Sequence, residues 1–160
     1  MLTHWLIDTS ALSRLCISGE HQAWHGRIDR GLVGLCTVSR LEMGFTARSA
    51  SDWARIMSTR PVTELTLELT TPAIEARAVQ IQHLLAERGH HRAVSAVDIL
   101  TAATAEVARL TVLHVDKDFE LIAGVTGQPV ERLAVDDEAG GSDRAGGTRG
   151  RDRGGGAAAT

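Results

Sequence analysis

Four acidic side chains, Asp8, Glu42, Asp98 and Asp116, each stand beside an apolar run in a different part of the chain, and two of them end strands. The β-branched run at 111–115 stops at Asp116 and, two residues on, Asp118, then passes into a short helix through Phe119, Leu121 and Ile122. Trp5-Leu6-Ile7 likewise ends in Asp8-Thr9-Ser10, and an apolar helix pattern follows. In an open parallel sheet the ligand crevice lies beyond the carboxyl ends of the strands, where the strand order reverses, so acids ending two strands can converge there. Four or five carboxylates a few ångströms apart repel strongly and stay ionised only by binding a divalent cation. Carboxylate and water ligands without Cys or His favour Mg²⁺ or Mn²⁺ over zinc. One or two such ions would activate water and stabilise the negative charge that develops on a phosphodiester.

Each acid also has a plainer reading. Glu42 follows Leu41 and precedes Phe45 by three residues, on a helix that also carries Arg48, so it borders an apolar face. That suits a group reaching a crevice, and equally a surface Glu on an amphipathic helix. Asp98 falls at the third position of a helix over 95–110 that Ser95 caps, where a carboxylate satisfies free N–H groups and complements the dipole. It also points with Ala102 and Ala105, whose small side chains permit close approach. His21 and His25 form an i, i+4 pair without an acid or Cys at ligand spacing, which reads as a solvated helix face. His90-His91-Arg92 reads as a polar loop facing water. Patterns for an activated serine, a nucleoside triphosphate loop or a dinucleotide site are missing.

The elements that must carry these acids alternate strand and helix, which predicts an α/β fold. Ala11, Leu12, Leu15 and Cys16 share a helix face that stops at Gly19, and Trp24 and Ile28 share the next. Residues 32–37 read as a buried strand, with Ser39 capping the following helix. A short helix over 51–59, with Trp53, Ile56 and Met57 as apolar contacts, precedes a strand over 62–67. Thr71 and Pro72 then open a helix whose Ile74, Ala78, Ile81 and Leu85 make one apolar stripe ending near Gly89. Residues 129–133 add an edge strand.

The chain has 160 residues, 43% of them hydrophobic, enough for one compact domain with a real core over 1–133. From Ala134 onward lie half of the 16 glycines with scattered Asp and Arg, a composition predicted to remain a disordered tail. Cys16 and Cys36 are expected to be buried reduced thiols. Without a signal-like start or a membrane-length apolar run, the expectation is a soluble cytoplasmic protein that does not engage a membrane. Net charge is −3, against a generally basic surface, although the body becomes mildly basic once the acids of the supposed pocket are set aside. Lys117 is the only Lys; the Arg excess fits either phosphate recognition or a GC-rich genome.

Four segments together resemble the PIN-domain ribonucleases, and among them the VapC toxins of bacterial toxin–antitoxin pairs. They are Leu6-Ile7-Asp8-Thr9-Ser10-Ala11-Leu12, Ser39-Arg40-Leu41-Glu42-Met43-Gly44, the helix from Val97-Asp98-Ile99-Leu100 to Ala105, and Val115-Asp116-Lys117-Asp118-Phe119. The resemblance implies a three-layer α/β/α sandwich around a mostly parallel sheet. It makes Asp8, Glu42, Asp98 and Asp116 the quartet that binds Mg²⁺ or Mn²⁺ and the attacking water, with Asp8, Asp98 and Asp116 as metal ligands. Asp118 corresponds to an auxiliary acid, and Thr9 and Ser10 to hydroxyls supporting the first Asp, although a helix cap fits them equally. His114 stands where the family often has Thr or Ser. The activity implied is endonucleolytic RNA cleavage leaving a 5′-phosphate and a 3′-hydroxyl, by a homodimer that a cognate VapB-like antitoxin neutralises. With no Tyr and two Phe, base stacking is poorly supplied, so RNA shape and backbone are the expected features read. The alternatives are an inert PIN-like module binding RNA or protein and a DNA-directed nuclease of related fold. A receiver-like phospho-acceptor is disfavoured because Lys117 lies between two acids.

Overall fold

The computed structural model describes residues 3–135; of the tail expected from Ala134 onward, Ala134 accepts the Ser18 hydroxyl on its carbonyl and Val135 packs on the core, and 136–160 lie outside the described residues. Five strands, β1 (Trp5–Ile7), β2 (Val33–Cys36), β3 (Thr66–Glu68), β4 (Thr111–His114) and β5 (Val130–Arg132), form one sheet in the order β3-β2-β1-β4-β5. Every pairing is parallel. Seven helices connect them: α1 (Thr9–Arg14), α2 (His21–Asp29), α3 (Thr37–Phe45), α4 (Ala50–Ser58), α5 (Pro72–Glu87), α6 (Ala96–Ala108) and α7 (Asp118–Thr126).

Alternation along the strands divides the interior into two cores, one on each face of the sheet. Leu6 and Val112 pack with Ile74, Ile81, Leu85, Ile99, Ala102, Phe119 and Ile122 from α5, α6 and α7. Their neighbours Ile7 and Leu113 face the other way, onto Leu12, Leu15, Trp24 and Ile28 from α1, its following turn and α2. Burial of each such large side chain contributes about 1.5–3 kcal/mol. The result is the expected three-layer sandwich, with residues 129–133 supplying the expected edge strand.

Chain direction then determines where the strand ends lie. From β1 the chain moves outward through β2 to β3, and α5 and α6 carry it back to β4 on the other side of β1. The order therefore reverses between β1 and β4, whose carboxyl ends are adjacent: the Asp8 N–H donates to the Leu113 carbonyl at 2.9 Å. At the far end of α6, Arg109 in the left-handed region (φ 59°) closes the helix, and Leu110 N–H donates to the Ala105 carbonyl, aiming the chain straight into β4.

Four local expectations require correction. Ser39 does not cap α3; Cys36 occupies the cap position and Ser39 is buried inside the first turn. Leu41 and Phe45 are 69% and 90% exposed, and Arg48 lies beyond the helix, because α3 meets the core with Val38, Ser39 and Met43 and carries Leu41 and Phe45 on the face turned away from them. Cys16 is exposed, since the helix tightens into a 3₁₀ turn at Leu15–Ile17 that swings it outward; Cys36 is buried as expected. Finally, the strand expected over 62–67 begins as a 3₁₀ turn, Val62–Glu64, and is extended only over Thr66–Glu68. The helix expected over 51–59 forms as α4, no residue of which is fully buried; it packs on α3 where Gly44 lets the Trp53 indole in, a Cβ there meeting Nε1 at 2.7 Å.

Candidate active site

Asp8 is the first residue past β1 and the N-cap of α1, with Oδ2 accepting the Ser10 N–H at 2.9 Å. The side chain is 3% exposed, and Oδ1 is buried without a hydrogen-bond partner. A buried carboxylate oxygen lacking a donor is costly unless something positive meets it.

Asp98 sits in the first turn of α6 within a capping box: Oδ2 accepts the Ser95 hydroxyl at 2.6 Å and the Ser95 N–H at 3.3 Å, and the Asp98 N–H donates to Ser95 Oγ. Burial pushes the Asp98 carboxyl above its ordinary value of 3.8, and the charges of Asp8 and, more weakly, Asp116 push the same way. The Ser95 hydrogen bonds oppose that rise. Capping and proximity to the other acids are therefore both true of this residue.

Asp116 lies just past β4, in a loop held from both sides. Its carbonyl accepts from Nδ1 of the buried His114 at 2.7 Å, and its Oδ1 accepts the Asp118 N–H at 3.1 Å. The His114 ring rests on Phe119, with centroids 5.5 Å apart. Asp118 opens α7, its carboxyl raised by burial and then by Asp116, with Lys117 opposing. The task of His114, left open by the sequence, is thus to hold the backbone of the Asp116 loop.

Glu42 projects from the middle of α3 and accepts a hydrogen bond from the Thr9 hydroxyl on Oε2. Ser10 Oγ accepts the Val115 N–H at 3.4 Å. The two hydroxyls therefore do not grip Asp8 by side chain: Thr9 ties α1 to Glu42, and Ser10 ties α1 to the end of β4.

Asp8 and Asp116 thus each act on the Asp98 carboxyl, Glu42 is joined to Thr9, the residue after Asp8, and Asp118 is joined to Asp116. Among the described residues none of these carboxylates is paired with Lys, Arg or His. No three His, Cys, Asp or Glu side chains among the described residues form the complete ligand set of one ion. The donor set is all oxygen, and the unpartnered Asp8 Oδ1 together with the raised Asp98 carboxyl fits a hard divalent cation. Beside Glu42, a groove of about 530 Å³ is lined by Leu12, Met43, Ile56 and Val62 among others.

The chain is thus an α/β protein with a parallel sheet and acids beyond the strand ends at its switch point, and comparison places it within one family. A family model described as PIN domain matches residues 5–125, and this chain belongs to the PIN-domain family. Within it the chain is similar to Ribonuclease VapC2 of Mycobacterium tuberculosis (strain CDC 1551 / Oshkosh), 53% identical over 129 residues that cover 81% of this chain and 92% of that protein. It is also 37% identical to Ribonuclease VapC21 of Mycobacterium tuberculosis (strain ATCC 25618 / H37Rv) over 131 residues, 82% and 94% of the two chains. Among solved structures, DNA-bound VapBC from Salmonella typhimurium has a TM-score of 0.66 at 18% identity, covering 82% of this chain and 98% of that one, a likeness of fold.

Proposed function

We propose that this protein is a Mg²⁺- or Mn²⁺-dependent endoribonuclease toxin of the VapC class, acting in the cytoplasm and neutralised by a cognate VapB-like antitoxin. The observation that carries the reading is the buried, unpartnered Oδ1 of Asp8, together with an Asp98 carboxyl raised first by burial and then by the charges of Asp8 and Asp116. Asp8, Asp98 and Asp116 would hold the cation, in part through its bound waters, and Glu42 would hold the attacking water. Bound there, a divalent ion supplies charge neutralisation at the scissile phosphate and a more acidic water. The protein's own contribution is orientation. Thr9 occupies Glu42 Oε2 and so leaves Oε1 to accept a proton from the water, the Ser95 cap turns Asp98, and His114 fixes the Asp116 loop. RNA enters as the substrate, held by shape and backbone; exposed Phe45 on α3 and half-exposed Trp53 on α4 supply exposed aromatic surface.

The apolar groove beside Glu42 suits an amphipathic antitoxin segment, and Leu41 and Phe45 on the outer face of α3 suit a second copy of the chain in a homodimer. Among the described residues no helix is long and apolar enough to cross a membrane.

The test is cleavage of a structured RNA by the purified full-length protein with Mg²⁺, run beside Asp8→Asn and Asp98→Asn. Each substitution is expected to lower the rate by more than about a hundredfold. Undiminished cleavage by both variants removes the acids from the mechanism. A matched DNA offered in the same assay separates a DNA-directed enzyme, and RNA binding without turnover separates an inert module.

A further inference from the structure

Beneath the acids lies a buried polar cluster that none of the roles above uses. Cys36 ends β2, Ser39 is in the first turn of α3 and Thr101 is in the second turn of α6; all three are buried. Their polar atoms close a triangle: Cys36 Sγ to Ser39 Oγ 3.1 Å, Ser39 Oγ to Thr101 Oγ1 3.2 Å, Cys36 Sγ to Thr101 Oγ1 3.5 Å. Each group is both donor and acceptor, so a cyclic arrangement satisfies all three in an otherwise apolar core. Thr104, one turn further along the same helix, behaves differently. Its hydroxyl donates to the Leu100 carbonyl of its own helix at 2.8 Å, the ordinary outlet for a mid-helix Thr. Thr101 instead reaches across to α3.

The placement of the triangle gives it a consequence for the site. Ser39 is three residues before Glu42 and Thr101 three residues after Asp98, so each acid stands about 4.5 Å along its own helix from the cross-link. Among the described residues the Ser39–Thr101 contact is the polar side-chain bond joining α3 to α6. We infer that the Ser39–Thr101 pair, seated on the Cys36 thiol, is a positioning element that fixes Asp98, a ligand of the proposed cation, relative to α3 and the water-holding Glu42, and thereby sets the divalent-cation affinity of the site. The inference rests on the nuclease reading above.

The test compares Thr101→Val with Thr104→Val in the full-length protein. Both delete a buried hydroxyl from α6 at nearly constant shape, and both are expected to lower Tm by similar amounts. Mn²⁺ binding is followed by titration calorimetry without RNA, and kcat and KM are measured on RNA. Thr101→Val is expected to weaken Mn²⁺ binding on the order of tenfold and to lower kcat with KM unchanged. Thr104→Val is expected to leave the Mn²⁺ affinity as in the parent protein, and Thr101→Ser to restore it. Equal Mn²⁺ affinity in the two Val variants, beside a parent protein that binds Mn²⁺ and cuts RNA, overturns the positioning role while leaving the nuclease reading intact. A parent protein that neither binds Mn²⁺ nor cuts RNA overturns both.

Discussion

Asp98 carries opposing demands in a single side chain. As a cap it is best ionised; partly buried, and facing the charges of Asp8 and Asp116, it is pushed toward the protonated form. A folded-state pKa above the unfolded one means that the fold binds this proton more tightly. The favourable contribution is therefore complete below 3.8 and is lost as pH rises through the higher folded value. In the presence of EDTA, the Tm of the protein is accordingly expected to fall behind that of Asp98→Asn as pH is raised from 3.8 toward neutrality, by a few degrees, because Asn keeps an oxygen for the Ser95 cap without the charge. Added Mg²⁺ should reverse the order at neutral pH. Scanning calorimetry over a pH series checks both, and parallel curves for the two proteins would contradict the electrostatic account. RNA cleavage should fade on acidification earlier than an ordinary carboxylate would make it, since a ligand must be ionised to bind the cation.

At the scale of elements, α6 is the part that must be placed well. Its capping box holds both the start of the helix and the orientation of Asp98. Ser95→Ala is expected to cost about 1 kcal/mol of stability and to lower kcat by about tenfold, because the carboxylate loses the hydroxyl that turns it. Thr71→Ala removes the corresponding cap from α5, where Thr71 Oγ1 accepts the Ile74 N–H and no acid of the site depends on it. It should cost similar stability with unchanged kcat. Chemical denaturation and steady-state cleavage of the two variants separate the effects; an equal loss of kcat in both would mean that α6 contributes only stability.

At the scale of the molecule, the exposed apolar faces of α3 and α4 are the unusual feature. Leu41, Phe45 and Trp53 remain exposed on α3 and α4, which bury little else. Exposed apolar side chains this close together mark a surface that another chain covers. Phe45→Glu is expected to change the stability of the isolated chain little, within about 0.5 kcal/mol, and, if the proposed homodimer forms through this face, to shift the protein toward monomer in light scattering. An unchanged mass at low micromolar concentration would remove Phe45 from the interface.

How much of this could be read without coordinates follows from the range of the forces involved. Hydrophobic period and capping act over a few residues, so the strands ending at Asp8 and Asp116, the Thr71–Pro72 start of α5 and the Ser95 cap of α6 were legible in the sequence alone, as was the parallel α/β architecture. The same local signals misplaced Leu41 and Phe45, because an apolar face identifies a surface to be covered without saying whether the core or another chain covers it. They also took Ser39 for a cap, although its hydroxyl is spent on Thr101, 62 residues away. The partner of Thr9, the grip of His114 on the Asp116 carbonyl and the orphaned oxygen of Asp8 depend on contacts between segments distant along the chain. The sequence by itself determined which side chains are acids at strand and helix ends; only the tertiary structure decided which of them share one another's field, because electrostatic repulsion and desolvation depend on distance and burial in space.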